Sequence, residues 1–213
     1  MKTILIIGAG TGLSLGVARK FGKKGFNVGL ISRSESNLEK LNDILKSENI
    51  QSYYAPADVR NTESLKEAIS KLRNNVGSID VLFYNVADVK AKDILEETSA
   101  SLIDDFSRNV AAALDAYLLV QNDLKENQGA VLISGGGFAL FPSADYGSLS
   151  IGKAGIRSLA LQLHERLKPD NVYVGLLTIA NIISESSPTH SPAVLADKFW
   201  QLYQDRTTAE EQQ

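Results

Sequence analysis

The chain has 213 residues, 44% of them hydrophobic, which suffices for one well-buried domain and falls short of two. With 22 Lys and Arg against 25 Asp and Glu the formal charge is -3, so no broad basic field exists to attract nucleic acid or an anionic membrane; a small-molecule substrate, or none, is expected instead. The absence of cysteine excludes disulfides, thiolate metal sites and cysteine nucleophiles, and fits a cytoplasmic location.

In chain order, the opening run TILII is too short to span a bilayer and is followed by glycines, so no membrane or targeting segment is expected. An amphipathic stretch over residues 12–24 follows, then NVGLIS, a second stretch over 36–48, QSYYA, and a third over 62–75. IDVLFY, a long stretch over 100–126, AVLIS, another over 148–168, VYVGLLTI and a last stretch over 191–204 complete the pattern. Short apolar runs alternating with longer amphipathic ones predict an α/β fold, a doubly wound parallel sheet of Rossmann-like form with six or seven strands and helices on both faces. Residues 1–204 form one domain in this reading. The tail 205–213, DRTTAEEQQ, is polar, lacks apolar alternation, and is expected to fray rather than add a strand.

The stretches SLIDDFSRNVAAALDAYLLVQNDL and SLSIGKAGIRSLALQLHERL are apolar around much of their circumference. One sheet face cannot cover so much, and a homodimer is the expected cover. The trio Phe199, Trp200 and Tyr203 reads as a packing face, His164 as a partly buried helix residue, and no side-chain set points to a metal.

Chemistry concentrates after the first strand. IIGAGTGLSLGVARKF sets Gly8, Gly10, Thr11, Gly12 and Leu13 between strand and helix, where backbone amides at a helix start hold a diphosphate and glycines admit its oxygens. After the second strand stand Ser32 and Arg33, where a carboxylate would be expected to grip a free ribose hydroxyl. A guanidinium beside a hydroxyl suits a 2′-phosphate, so NADP(H) is favoured over NAD(H).

Further segments follow in order: ADV with Asp58 and Val59, FYNVA with Asn85, Val86 and Ala87, and SRNVAAAL with Asn109. In these and in the glycine loop the chain resembles the short-chain dehydrogenase/reductase family over roughly its first 200 residues. The resemblance implies that Asp58 and Val59 contact the adenine, that Asn85, Val86 and Ala87 border the cofactor, and that Asn109 lies beside the active site. Ser14 replaces the family's third glycine. The family also places a proton-transferring Tyr four residues before a Lys that holds the nicotinamide ribose. Here Lys153 is present and Leu149 stands at the Tyr position. The family's carbonyl-polarising Ser falls on Gly135 when LISGG is aligned, with Ser134 one residue early, and its Pro-Gly after the sixth strand becomes Ile179 and Ala180.

A free phenol titrates near pH ~10 and needs a nearby positive charge to act at neutral pH. Tyr146, seven residues before Lys153, returns to nearly the same helix face but about 10 Å away along the axis, leaning further off. Two readings stand. The chain is an NADP(H)-dependent oxidoreductase on a carbonyl or alcohol, with Tyr146, Lys153 or a water as displaced acid and Ser134 orienting the substrate; or it is a catalytically silent NADP(H)-binding sensor or partner protein. In the Ser/Pro loop SSPTHSP and just before it, His190, Asn181 and Ser184 are further ligand-facing candidates.

Overall fold

Side-chain alternation within the strands dictates the layering. In β1 (Thr3–Ile7), Ile4 and Ile6 point to one side and Leu5 and Ile7 to the other, and all four are fully buried. A strand apolar on both sides needs helices on both, and the computed structural model, which describes residues 1–213, supplies them.

β2 (Asn27–Ser32), β3 (Ser52–Pro56), β4 (Val81–Tyr84), β5 (Ala130–Ser134), β6 (Tyr173–Thr178) and β7 (Glu210–Gln212) join β1 in one parallel sheet of order β3-β2-β1-β4-β5-β6-β7. On one face lie α1 (Leu13–Lys23), α2 (Glu35–Ser47) and α7 (Pro192–Asp205); on the other lie α3 (Thr62–Val76), α5 (Ala112–Glu126) and α6 (Gly147–Leu167). The sheet is doubly wound, as expected. β1 has β2 on one side and β4 on the other, so connections leave in opposite directions there and open a crevice at the strands' carboxyl ends. Gly16 closes the first layer, because a Cβ on it would lie 2.6 Å from the Pro192 carbonyl oxygen at the start of α7. The expected aromatic face divides: Phe199 packs on Phe83, while Trp200 and Tyr203 cluster with Phe21 and Phe26.

The stretch expected as one helix over 100–126 is broken. α4 (Ser99–Phe106) passes through a π turn, Ser107–Ala111, before α5 begins. An extra residue in a helical turn displaces carbonyls from their usual donors. The buried Tyr84 hydroxyl answers one of them, donating to the Arg108 carbonyl at 2.6 Å.

The tail departs from expectation most. Residues 205–213 do not fray: Glu210–Gln212 pairs in parallel with β6, Leu176 opposite Glu210 and Thr178 opposite Gln212. Apolar alternation is absent because the strand is held by charge. Glu210 accepts hydrogen bonds from Arg157 Nε at 2.9 Å and Nη2 at 2.7 Å and from the Thr178 hydroxyl at 2.7 Å, and Glu211 pairs with Lys198 at 2.6 Å. The domain therefore runs past residue 204 to the last residue described.

Arg157 foremost holds the Glu210 carboxyl below its ordinary value of 4.5, against the pull of desolvation. A depressed carboxyl stabilises the fold above its unfolded pKa and loses that contribution as pH falls through its folded pKa. Urea unfolding at pH 7 is expected to show that Glu210→Gln costs about 2 kcal/mol, as for a partly buried charged hydrogen-bond set, and that the difference from wild type shrinks below pH 4.5.

Candidate functional site

β1 delivers the chain to Gly8, whose φ of +88° and whose missing Cβ, which would lie 2.3 Å from the Asn85 carbonyl oxygen, both require glycine. Gly10 and Gly12 are different. A Cβ at either would meet nothing within 4 Å, so the protein itself does not demand glycine there. The N–H groups of Gly10, Thr11, Gly12, Leu13 and Ser14 find no acceptor in the chain. α1 has neither a side-chain cap nor an acid in its first turn, whereas α2, α3, α4 and α7 are capped by Ser34, Asn61, Thr98 and Ser191. Free amides converging on open space at the positive end of a helix are an anion cradle, and they fit a diphosphate.

The loop is held from beneath. Ser134 Oγ donates to Asn85 Oδ1 at 2.6 Å, Asn85 Nδ2 donates to Ser14 Oγ at 2.8 Å, and Ser14 Oγ donates to the Gly8 carbonyl at 2.8 Å. Ser14 does here what a glycine could not: its hydroxyl ties the helix to the strand end.

On one side of Gly8 a cleft of about 180 Å³ is lined by Ser32, Arg33, Asp58, Val59, Val86 and Ala87, all expected at the cofactor, and also by Asp88 and Arg108. Arg60 foremost, through side-chain and backbone hydrogen bonds, with Arg33 adding to it, holds the Asp58 carboxyl at about 2. Arg33 is exposed and enters no salt bridge or side-chain hydrogen bond. Arg108, mostly buried, pairs with Asp88 at 2.5 Å and Asp104 at 2.6 Å. The sequence reading missed Arg108, though it stands beside Asn109 in SRNVAAAL; a lone arginine inside an apolar helix was the available signal.

On the other side a cavity of about 660 Å³ holds Leu13, Asn85, Ala87, Ser134, Leu149 and Lys153. The two clefts share Asn85 and Ala87. Leu149 and Lys153 lie one turn apart on α6, and both face the cavity. Lys153 Nζ lies 3.4 Å from the Ser134 carbonyl oxygen and 3.3 Å from that of Gly135. Burial without a carboxylate partner lowers the Lys153 ammonium to about 8.

The resemblance places Gly135 at the position of the family's carbonyl-polarising serine, while the space next to Lys153 adjoins Gly136. A Cβ on Gly135 would run into Thr178 Oγ1 at 2.9 Å, while one on Gly136 would lie 3.0 Å from Lys153 Cε. Position 136 therefore faces the lysine. Ser134 lines the cavity, but its proton is spent on Asn85.

Tyr146 and Asn109 stand outside both clefts. Tyr146 precedes the first turn of α6, stacks on Phe138 with centroids 5.0 Å apart, and does not line the cavity with Lys153. Asn109 is buried in the π turn, accepts the Asp88 N–H at 3.3 Å, and presses its amide against α6, where a Cβ on Gly152 would lie 2.5 Å from Nδ2. Asn181 lines the cavity; Ser184 and His190 do not.

A crevice at a topological switch point, floored by orphan amides, defines a nucleotide-binding α/β protein of the Rossmann type. Residues 2–191 match the model of the family described as short chain dehydrogenase, and the chain belongs to that family. It is similar to a ketoacyl reductase of Nostoc sp., 26% identical over 92% of this chain and 69% of that one, and to the 2,3-dihydro-2,3-dihydroxybenzoate dehydrogenase of Bacillus subtilis, 26% identical over 99% and 76%. Among solved structures, a short-chain dehydrogenase from Rhodopseudomonas palustris superposes with a TM-score of 0.87 at 23% identity, covering 100% of this chain and 97% of that one. An alcohol dehydrogenase from Thermococcus sibiricus, complexed with 5-hydroxy-NADP, superposes with a TM-score of 0.86 at 20% identity over 100% and 95%. No helix of the chain is long and apolar enough to cross a membrane.

Because Lys153 titrates near 8 when folded and near 10.5 when unfolded, the unfolded chain binds the extra proton between those values. Stability rises with pH through that window. Lys153→Met is expected to flatten this part of the profile in denaturant titrations between pH 8 and 10, leaving the acid side unchanged.

Proposed function

We propose that the chain is an NADP(H)-dependent oxidoreductase acting on a carbonyl compound or its alcohol, with Leu149 in the place of the family's proton-transferring tyrosine. Family membership supports the oxidoreductase class. The observation that carries the cofactor is the set of free amides from Gly10 to Ser14 beneath two glycines with open space above them. Ser32 and the unpaired Arg33 at the edge of the neighbouring cleft favour the 2′-phosphate over a bare ribose.

A bound nicotinamide supplies or accepts the hydride. The chain's own residues then have limited but definite work. The 2.3 Å constraint at Gly8 fixes the loop against the strand end, and Asn85 braces it. Lys153 is the one ionisable side chain in the cavity, close to half-protonated at pH 8, and its ammonium is the available donor to a substrate oxygen. Leu149 and the glycines at 135–137 keep that donor in apolar surroundings. Ser134 serves the loop rather than the substrate, Asn109 supports α6, and Tyr146 is left without a proton-transfer role.

In calorimetric titrations NADPH is expected to bind more tightly than NADH, with Arg33→Ala removing about tenfold of NADPH affinity and leaving NADH unchanged. With a panel of ketones, aldehydes and quinones, Lys153→Ala is expected to lower kcat/KM by about 100-fold and Tyr146→Phe to leave it unaltered. Leu149→Tyr with Gly136→Ser is expected to raise it. Absence of NADPH binding overturns the cofactor; tight binding with no oxidation of NADPH by any substrate, restored by the double variant, assigns the chain to the catalytically silent class.

We infer also that the chain forms a homodimer through α4, α5 and α6. Ile103 and Phe106 on α4, Leu114 and Leu118 on α5 and Ile151 on α6 are exposed apolar side chains on neighbouring elements, with Ile103 70% exposed. Sedimentation velocity is expected to give a dimer for the wild type and a monomer for Ile103→Asp/Leu118→Asp; a monomeric wild type refutes the pairing.

A further inference from the structure

We infer that the cavity beside Lys153 takes a neutral, hydrocarbon-rich carbonyl compound or its alcohol and rejects sugars and small organic acids. The inference rests on the proposed reading in that the cavity is taken as the substrate site of that oxidoreductase.

The polar side chains of the cavity are largely occupied. Asn85 uses its amide oxygen on Ser134 and its amide nitrogen on Ser14, and Ser134 has given its proton to Asn85. Asn181, at the mouth, turns its oxygen onto the N–H of Ile182 at 2.8 Å and keeps only its exposed nitrogen. Lys153 directs its ammonium at two carbonyl oxygens, and an ammonium has three protons. Away from the mouth one side-chain donor remains, enough for a single carbonyl or hydroxyl oxygen. A sugar would bring several hydroxyls out of water with few partners for them, and a small carboxylate, although it could pair with the ammonium, would give up the hydration of its second oxygen and leave the apolar walls uncovered.

The walls match this account. Leu149, 4% exposed, and Ile179, 7% exposed, form the inner part. At the mouth stand Val89, Phe141 and Ile182, which are 74%, 75% and 82% exposed, on three separate segments: the turn after β4, the loop after β5 and the loop after β6. Large apolar side chains so exposed are costly to hydrate. Their convergence on one opening supplies a collar that would bury the distal part of a lipophilic molecule, at about 25 cal/mol per Å² of apolar surface covered. Lys153 is the only charged residue lining the cavity, so the collar attracts by area and not by charge.

The test is calorimetric titration of the intact protein with 2-octanone, D-galactose and pyruvate, each with and without saturating NADPH. The ketone is expected to bind about tenfold or more tightly than the other two. Phe141→Asp and Val89→Asp are each expected to weaken the ketone by about fivefold while leaving NADPH affinity and circular dichroism unchanged, since both side chains project into solvent. Galactose or pyruvate binding as tightly as the ketone, no binding of the ketone, or ketone affinity indifferent to both collar variants overturns the inference. Failure of NADPH to bind overturns the cofactor instead, and the titrations without NADPH still read the cavity's preference.

Discussion

A line of three hydrogen bonds sets the character of this molecule. The Ser134 hydroxyl at the end of β5, the Asn85 amide after β4, the Ser14 hydroxyl in the first turn of α1 and the Gly8 carbonyl after β1 form a single direction of donation across the crevice. Each group is both constrained and consumed. The line ties α1 to the strand ends and so fixes where its free amides point. It also removes from the cavity the hydroxyl and amide that would otherwise recognise a polar substrate. Free amides on one side of Gly8 and apolar character on the other are thus two results of one arrangement. Side-chain networks of this kind hold a unique geometry because breaking one member strands the rest without partners.

Parallel topology explains why residues spread from Gly8 to Lys153 meet. Register places Ile7 beside Tyr84 and Tyr84 beside Ile133, so β1, β4 and β5 end at one level and their next residues, Gly8, Asn85 and Ser134, come together. α6 then lays Lys153 over the end of β5, close enough that a side chain on Gly136 would touch it. Sheet register does the positioning, and the loops add only specificity.

Much of this was legible before any coordinates, for identifiable reasons. Strands apolar on both sides and helices of 3.6-residue period leave local patterns, and a parallel sheet brings its carboxyl ends together whatever the loops do. That is why Ser32, Arg33, Asp58, Val59 and Val86, far apart in the chain, fall in one cleft. The failures are equally physical. β7 carries no apolar alternation because its partners are Arg157 and Lys198, 53 and 13 residues distant, and such charge pairing has no local signature. The π turn at Ser107–Ala111 hid inside an unbroken helical pattern for a similar cause, since the hydroxyl that takes up one of its carbonyls comes from Tyr84 on β4. Tyr146 lies away from the cavity because it precedes α6, which begins one residue later, and stacks on Phe138 instead.

The lysine shows how these constraints bear on chemistry. In a cavity with a phenol, an ammonium would act through the phenol's acidity; with Leu149 in that position, the proposed reaction has it act directly on the substrate oxygen. Direct action demands that the ammonium be acidic enough to give up its proton and close enough to reach. Burial without a counter-charge meets the first demand, bringing Lys153 to about 8. The second is met only in part, because the Ser134 and Gly135 carbonyls hold Nζ toward β5. Those contacts are long, at 3.4 and 3.3 Å, and long hydrogen bonds yield readily to a better acceptor. A substrate oxygen in apolar surroundings is such an acceptor, since it has no water to satisfy it. In the proposed reaction the apolar walls would therefore serve the proton donor as well as the ligand: they lower the lysine's hold on its proton and would raise the oxygen's demand for it.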